Sequence, residues 1–313
     1  MKYNKLINES PAISEIGLGT WQLGVKSGWK EMTENEAIEL VQSSFEMGVN
    51  FFDTAPNYGL GTSELRLGKA LKAYDRDKLV VNTKFGHKDT GGTDYDSTSI
   101  RKSLEGSLKR LQMEYVDSFI FHNPPFEYLD GNKNDHYEIL EKLKDEGKIR
   151  GYGASLDTYK EIASLLQTTN SKVIEVFFNI LHQDTARTFS LAKEKNICII
   201  VKIPLDSGWL TGKYDENSIF TDVRKRWSKN DIQTRAILID RIKNIIGLEA
   251  NLAQIALSFC LANDAVSTVI PGNASLQQLK DNISGISKPI SKQLIETLEA
   301  FYQEEVKHLN IPW

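Results

Sequence analysis

The chain has 313 residues, of which 40% are hydrophobic and 26% are charged, and its formal net charge is -4. Such a composition supplies a large core and differs from the apolar-poor, highly charged composition of disordered chains. An acidic pI of about 5.8 argues against nucleic acid as the main partner, because phosphate binding needs a clustered cationic surface. The short basic run Arg224-Lys225-Arg226 is typical of a solvated loop.

The N-terminal sequence MKYNKLINESPAISEIG lacks the apolar region of a signal peptide. No apolar stretch approaches the roughly 20 residues that a membrane span requires. Both cysteines, Cys198 and Cys260, lie in apolar runs and are predicted to be buried, without metal-ligand spacing. These features predict a reduced cytoplasmic protein with no membrane partner and no metal site.

Apolar, β-rich runs alternate with amphipathic segments along the chain. The predicted strands are Glu15–Gly19, Asn50–Asp53, Leu79–Lys84, Ser118–His122, Gly151–Ala154, Val173–Phe178, Cys198–Ile203 and Ser267–Ile270. The predicted helices between them are Glu34–Met47, Ser63–Ala73, Ser97–Leu111, Asp135–Glu146, Thr158–Gln167 and Thr185–Glu194. Thr33 and Glu36 fit a capping box at the start of the first of these helices.

Strict alternation of strand and helix predicts parallel strands joined by crossover helices. Eight such units in about 300 residues indicate a single (β/α)8 TIM barrel that spans residues 1–313 as one domain. An open doubly wound sheet is the alternative, but it would need a Gly-rich phosphate turn after its first strand. Only Gly17-Leu18-Gly19 stands there, and no helix follows it quickly.

Several predicted segments are additional to a minimal (β/α)8 barrel. Residues Lys2–Ser10 are predicted to form a short N-terminal hairpin strand that caps the bottom of the barrel. Extra helices are predicted after the seventh strand and at the C-terminus, at Ile232–Ile246, Ala253–Ala262, Leu276–Ile283 and Lys292–Val306. Three long connections, Gly86–Asp96, Asn123–Asn134 and Pro204–Lys229, follow strand C-termini and are predicted to be functional loops.

An acid, a phenol, an amine and an imidazole lie at or just after the ends of predicted strands. They are Asp53 and Tyr58 in GVNFFDTAPNYG, Lys84 in LVVNTKFG and His122 in VDSFIFHNPP. Strand ends from distant parts of a chain meet when a parallel barrel closes. A neighbouring ammonium lowers the pKa of a tyrosine, and a carboxylate keeps that ammonium charged. The four residues therefore predict a centre that protonates a carbonyl oxygen.

Each of these residues has a structural alternative when it is taken alone. Asp53 could cap a turn, Tyr58 could be a loop aromatic, and a lone histidine is more often a satisfied core residue. Lys84 is harder to explain without a partner, because it ends a buried strand. The remaining histidines are interpreted as surface or loop residues: His87, His136, His182 and His308.

With these segments in order, the chain resembles the aldo-keto reductase superfamily over nearly its whole length. The resemblance rests on GVNFFDTAPNYG, NTKFG and His122, and on GKIRGYGAS, IPLDSGWLTGKY and STVIPGNASLQQLKDN. It implies that Tyr58 is the general acid, that Lys84 lowers the pKa of Tyr58, and that Asp53 pairs with Lys84. His122 would orient the substrate carbonyl.

The resemblance also implies a nicotinamide dinucleotide and its contacts. The implied cofactor-binding residues are Ser155, Asn179, Leu205, Ser207, Gly208, Leu210, Lys213, Gly272, Gln278, Asp281 and Asn282. Two positions depart from the family pattern, since Leu156 replaces an asparagine and Glu175 a glutamine. NADP(H) is the family expectation. NAD(H) is possible because Ala274 and Ser275 stand where a cation usually holds the 2′-phosphate.

Arg224 or Arg226, on the seventh loop, could compensate for that missing cation. Trp21, directly after the first strand, is the best candidate for a wall of the substrate pocket. The leading functional hypothesis is NAD(P)H-dependent reduction of a small aldehyde or ketone. The alternative is a nicotinamide-binding regulatory subunit with little turnover, like the β subunits of voltage-gated potassium channels. Neither the physiological substrate nor the oligomeric state follows from the sequence.

Overall fold

The structure is a computed structural model that describes residues 1–7, 10–24, 31–286, 289–309 and 311–312. Two short antiparallel strands come first, β1 (Tyr3–Asn4) and β2 (Ile13–Ser14). Eight parallel strands follow: β3 (Leu18–Gly19), β4 (Phe51–Asp53), β5 (Val80–Phe85), β6 (Val116–His122), β7 (Ile149–Leu156), β8 (Val173–Phe177), β9 (Cys198–Lys202) and β10 (Val266–Ile270). Their order in the sheet is their order in the chain.

Helices connect and surround these strands. They are α1 (Trp21–Gly24), α2 (Glu34–Glu46), α3 (Thr62–Leu71), α4 (Ile100–Leu111), α5 (His136–Asp145), α6 (Tyr159–Thr168), α7 (Phe189–Glu194), α8 (Lys229–Ile246), α9 (Leu252–Leu261), α10 (Leu276–Gly285) and α11 (Lys292–Phe301). The predicted capping box is confirmed, because the Glu36 amide donates to the Thr33 hydroxyl while the Glu36 carboxylate accepts from the Thr33 amide.

The sheet closes on itself between its first and last strands. Single parallel bridges join Ile16 to Val269 and Gly19 to Gly272. The Gly17 amide also donates to the Val269 carbonyl at 2.8 Å. The predicted (β/α)8 barrel is therefore confirmed, together with its N-terminal hairpin and the extra helices after β9 and near the C-terminus.

Two apolar clusters hold the barrel together. The larger lies between the strands and the surrounding helices. The smaller one, which we call the lower cluster, fills the bottom of the barrel and joins alternate strand residues to the N-terminal segment: Leu6, Ile7, Ile13, Phe51, Val80, Ile120, Val173, Cys198, Ile200 and Ile270. A side chain at Gly151 would lie 3.1 Å from Ile7, so the N-terminal segment plugs the barrel. The residues predicted to form the proton-transfer centre follow at the opposite ends of the strands.

Some predicted boundaries and exposures are wrong. The first barrel strand covers only Leu18–Gly19, and the partner of β1 lies at Ile13–Ser14, outside the predicted hairpin segment. Helices α4 and α7 are each preceded by a 3-10 turn. His136 is buried at the start of α5 rather than lying in a loop, and its Nε2 is 2.7 Å from the Tyr95 carbonyl oxygen.

Within the described parts of the chain, none of the helices has the length and apolar character needed to cross a membrane.

Candidate active site

The four residues predicted to form the proton-transfer centre come together at the upper end of the barrel. Asp53 ends β4, Lys84 lies near the end of β5, His122 ends β6, and Tyr58 lies in the loop after β4. Lys84 Nζ donates to both carboxylate oxygens of Asp53 at 2.7 Å and lies 3.5 Å from the Tyr58 hydroxyl. Both members of the ion pair are almost completely buried.

A chain of hydrogen bonds between neighbouring strands holds the Asp53 carboxylate in place. Asn82 is its neighbour across the β4–β5 pair and donates from Nδ2 to Asp53 Oδ2 at 2.7 Å. The Ser118 hydroxyl on β6 donates in turn to Asn82 Oδ1 at 2.5 Å. These hydrogen bonds fix the carboxylate, and the carboxylate fixes the lysine, so Lys84 has little freedom to leave Tyr58.

The electrostatics of Tyr58 combine two opposite effects. Burial raises the pKa of its phenol above the ordinary value, and the Lys84 ammonium offsets this only in part. Lys84 therefore lowers the pKa of Tyr58 as predicted, but burial outweighs it. Lys84 itself stays charged, because the Asp53 and Glu175 carboxylates outweigh the burial that would lower its pKa.

His122 is neutral in this setting. Burial, the Lys84 ammonium and two further groups, His87 and Lys202, hold its pKa well below the usual range. Its ring meets the edge of the Tyr58 ring with centroids 5.8 Å apart, and it stacks on His87 at 4.4 Å. Among the described residues, His122 Nδ1 is buried without a hydrogen-bond partner. A neutral imidazole with an open nitrogen can contact a carbonyl oxygen.

Glu175 on β8 lies inside this centre, which the sequence did not predict. Its Oε2 is 3.2 Å from Lys84 Nζ, and its Oε1 accepts from the Ser155 hydroxyl at 3.2 Å. Burial and the Glu175 carboxylate raise the pKa of Asp53 to about 7. Although burial alone would raise the pKa of Glu175, Lys84 and Lys202 hold it below its ordinary value.

A second buried lysine, Lys202, ends β9 on the other side of Ser155. Its Nζ lies 2.8 Å from the Ser155 hydroxyl, 2.8 Å from Asp157 Oδ1 and 3.1 Å from Asn123 Oδ1. Sequence reasoning missed this residue. The signal was available, because a lysine that ends the apolar run CIIVK needs a partner, as Lys84 does.

The loop after β9 forms a cradle of backbone amides. Ser207 (φ 53°) and Gly208 (φ 100°) have left-handed backbone conformations, which curve the loop into a concavity. The amides of Gly208 and Leu210 both donate to the Leu205 carbonyl, at 2.9 and 3.2 Å. A side chain at Gly208 would lie 3.0 Å from the Tyr214 ring. Leu205 is partly exposed and Leu210 is buried in the same loop.

An ion pair beneath the cradle supports it. Asp206 is completely buried, and its Oδ2 accepts from Arg235 Nε of α8 at 3.2 Å while its Oδ1 lies 3.4 Å from His182 Nε2. Arg235 also donates to the Pro312 carbonyl and lies over the Trp227 ring at 4.4 Å. The cradle is thereby tied to α8 and to the C-terminal segment.

Other predicted cofactor residues differ in their surroundings. The Asn179 amide bonds within the protein, with Nδ2 donating to the Ile203 carbonyl at 3.0 Å and Oδ1 accepting from the Leu181 amide at 2.9 Å. Lys213 is exposed, and its ammonium lies 5.6 Å from the centre of the Tyr214 ring. Asn179 thus fastens the loop after β9.

The segment after β10 provides the remaining predicted contacts. Gly272 bridges to Gly19 at the barrel closure, and Asn282 on α10 is buried and donates to Asn273 Oδ1 at 2.8 Å. Gln278 and Asp281 are exposed on α10. The Gln278 side-chain oxygen Oε1 accepts from the Ala274 backbone amide at 2.8 Å, and Asp281 accepts from the Gln277 side chain.

A cavity of about 290 Å³ lies beside this segment. It is lined by Ala274 and Ser275 on one side and by the carboxylates Glu31, Glu36 and Glu39 on the other. None of the described residues that line it is cationic.

Trp21 lies near the mouth of the barrel. It begins α1 directly after β3 and is partly exposed. The preceding Thr20 donates its amide to the Asp53 carbonyl at 2.9 Å. The candidate pocket residue is therefore anchored to the strand that carries Asp53.

Comparisons with known proteins agree with this geometry. A model of the aldo/keto reductase family matches residues 15–303. The chain is 28% identical to L-galactose dehydrogenase of Arabidopsis thaliana, with 97% of this chain and 95% of that protein covered. It is 26% identical to the NADH-specific methylglyoxal reductase of Escherichia coli, with 92% and 96% covered.

A probable voltage-gated potassium channel subunit beta of Oryza sativa is 27% identical, with 98% of each chain covered. Among solved structures, the holo form of an aldo-keto reductase from Bacillus halodurans superposes with a TM-score of 0.82 at 26% identity over the whole of both chains. The family match spans nearly the entire barrel, including every strand that carries a residue of the centre. The chain therefore belongs to the aldo/keto reductase family and is an NAD(P)H-dependent oxidoreductase.

Proposed function

We propose that this protein reduces an aldehyde or ketone to an alcohol, with Tyr58 as the proton donor. One observation carries the proposal: a buried, charged Lys84 lies between the Asp53 carboxylate at 2.7 Å and the Tyr58 hydroxyl at 3.5 Å. A positioned acid of this kind typically accelerates a reaction by about 10²–10⁴-fold. We further propose that residues 1–313 act as a single catalytic domain.

The chain's own groups divide the work. His122, neutral and beside Tyr58, donates a hydrogen bond from its ring N–H to the substrate carbonyl oxygen and orients it. Tyr58 then donates its proton to the oxygen that gains negative charge. Lys84 stabilises the phenolate left behind, and Asp53 holds Lys84 in place. When bound, the reduced nicotinamide supplies the hydride.

The dinucleotide would lie across the upper face of the barrel. Ser155 would meet the nicotinamide end, and the loop that carries Leu205, Ser207, Gly208 and Leu210 would meet the pyrophosphate, with Lys213 nearby. Gly272, Gln278, Asp281 and Asn282 would surround the adenosine. Trp21 would form one wall of the substrate pocket. The positive φ angles of Ser207 and Gly208 support this arrangement, because left-handed turns of this kind form concavities that bind anions.

We propose that NAD(H) binds more tightly than NADP(H). Ala274 and Ser275 offer no cation to a 2′-phosphate, and three glutamates line the adjacent cavity. Arg224 does not compensate in this geometry, because it pairs with Asp222 and approaches the Ser207 carbonyl at 3.3 Å. The similarity to an NADH-specific relative points the same way.

Fluorescence titration with NADH and NADPH tests the cofactor preference. NADH should bind more tightly, and Ala274→Arg should tighten NADPH binding by about tenfold or more, as expected for a hydrogen bond to a charged group. Gln167→Arg, on an exposed position of α6, adds the same charge elsewhere and should leave both affinities unchanged. Tighter binding of NADPH by the wild type would contradict the proposal.

Tyr58→Phe tests the reaction itself. Reduction of 4-nitrobenzaldehyde should fall by about 10²-fold or more, because the proton donor is lost, while the affinity for NADH stays nearly the same. Tyr74→Phe removes a hydroxyl from a tyrosine that contacts the Gln42 carbonyl on the outside of the barrel and serves as the control. Turnover retained by Tyr58→Phe would eliminate Tyr58 as the donor.

A regulatory subunit is the second candidate, favoured by the similarity to the probable channel subunit of Oryza sativa. Such a protein would bind the dinucleotide in a stable complex with little turnover. Steady reduction of 4-nitrobenzaldehyde by the wild type would show that the protein is an enzyme rather than a regulatory subunit.

A further inference from the structure

Glu175 is a buried carboxylate that the proposed reaction does not use. It lies on β8 directly opposite Ser155 of β7 in the strand register, and its side chain points into the upper end of the barrel. One oxygen contacts Lys84 Nζ at 3.2 Å and the other contacts the Ser155 hydroxyl at 3.2 Å. A neutral glutamine could bond to the serine equally well, so the charge calls for a separate explanation.

We propose that Glu175 is a positioning residue that holds Lys84 between two carboxylates and keeps the Tyr58 phenol protonated to higher pH. This inference rests on the proposed reductase function, in which Tyr58 is the acid.

The Lys84 ammonium has four oxygen-bearing neighbours. Its ammonium meets Asp53 at 2.7 Å, the Thr54 carbonyl at 3.1 Å, Glu175 at 3.2 Å and the Tyr58 hydroxyl at 3.5 Å. The hydroxyl is thus the most distant of four oxygen partners. When both carboxylates are ionised, the group of Asp53, Glu175 and Lys84 carries a net negative charge. A phenolate beside that group is disfavoured.

The neighbouring charges offset this effect only in part. Lys202 on β9 is the next cation and lowers the pKa of Glu175, but its ammonium also pairs with Asp157 at 2.8 Å and contacts the Ser155 hydroxyl at 2.8 Å. His122 on β6 is neutral. The excess negative charge therefore stays with Lys84 and its two carboxylates, next to Tyr58.

The direction of the reaction follows from this arrangement. Carbonyl reduction needs the protonated phenol, whereas alcohol oxidation needs the phenolate as a base. A second carboxylate at Lys84 extends the pH range in which the phenol keeps its proton. Glu175 accordingly favours reduction over oxidation at neutral pH.

The decisive measurement is the pH dependence of kcat for 4-nitrobenzaldehyde reduction at saturating NADH. In Glu175→Gln the decline at alkaline pH should move about one unit lower, because one negative charge near the phenol is removed. The rise of alcohol oxidation should move lower by the same amount. Glu175→Asp keeps the charge and should restore the wild-type profile even if its kcat is reduced. Profiles of Glu175→Gln and wild type that superimpose would overturn the inference.

A spectroscopic titration keeps the inference testable without turnover. Phenolate absorbance of the wild type, minus that of Tyr58→Phe, reports the ionisation of Tyr58 directly. The Glu175→Gln variant should ionise at lower pH, and Glu175→Met provides a second uncharged variant if the first does not fold. If the wild type binds NADH but shows no turnover, the proposed function fails while this titration still decides the role of Glu175. An unshifted titration would contradict that role.

Discussion

The lower and upper ends of the barrel interior are built from the same strands but from opposite kinds of residue. On β5, Val80 belongs to the lower cluster, whereas Lys84 belongs to the proton-transfer centre. On β9, Ile200 is packed among apolar side chains, whereas Lys202 contacts Ser155 and Asp157. Moving a few residues along one face of a strand thus changes the interior from apolar to charged.

This contrast separates stability from chemistry. Burial of apolar side chains at the lower end contributes to folding in proportion to the area removed from water. Buried charges at the upper end contribute little net stability, because desolvation opposes their attraction. Under the proposed function the upper end retains them for the reaction, and apolar burial at the lower end offsets the cost of their desolvation.

The largest effect should come from Lys84→Met. It leaves the Asp53 and Glu175 carboxylates buried without their shared cation, and loss of one partner of a buried pair costs about 3–5 kcal/mol. Reduction should also fall, and its pH profile should change, because the phenolate loses its stabilising charge. Chemical denaturation and pH–rate profiles measure the two effects. Lys202→Met is the matched control, and equal changes in both variants would show that Lys84 has no special role.

Ile200→Ala, a substitution in the lower cluster, tests whether stability and activity depend on different ends of the barrel. Truncating this buried side chain should lower the free energy of unfolding by about 2–5 kcal/mol through lost burial and a cavity. The kcat of the folded fraction should stay within about twofold of wild type, an order-of-magnitude expectation for a site outside the reacting groups. A large loss of kcat with unchanged stability would show that the two ends are not separable.

The smallest effect concerns pH and His122. Because its pKa in the fold is well below that of the unfolded chain, the unfolded state binds the proton first as the pH falls below about 6.5. Protonation should therefore destabilise the fold by up to about 1.4 kcal/mol per pH unit below that value. The difference in unfolding free energy between wild type and His122→Asn, measured from pH 7 to pH 5, isolates this contribution. A difference that is constant with pH would mean that His122 is not held neutral.

The fold and the four central residues could be predicted because both depend on the order of strand and helix segments along the chain. Eight apolar runs alternating with amphipathic segments specify the barrel, and Asp53, Tyr58, Lys84 and His122 follow from their positions at or after strand ends. The first strand was predicted too long because Ile16 and Gly17 are apolar or small like the rest, yet pair with β10 only through isolated contacts.

The role of Glu175 and the partners of Lys202 could not be predicted in the same way. Both faces of a parallel barrel strand are buried, so the alternation that marks the inner face of a half-exposed strand is absent. Whether Glu175 points to Lys84 or to a helix depends on the stagger of eight strands. The raised pKa of Tyr58 has the same origin, since the depth of burial is a property of the closed barrel rather than of the segment PNYG.

The closure of the barrel has a consequence for how it opens. Six residue pairs join β6 to β7, but only single bridges at Ile16–Val269 and Gly19–Gly272 join the first and last strands. Amide hydrogen exchange should be faster along this seam than between β6 and β7, because local opening is easier where fewer backbone hydrogen bonds must break. Gly272 lies on the seam and in the proposed adenosine site. A bound dinucleotide should therefore slow exchange there, so that this weakly joined line of the barrel also reports its occupancy.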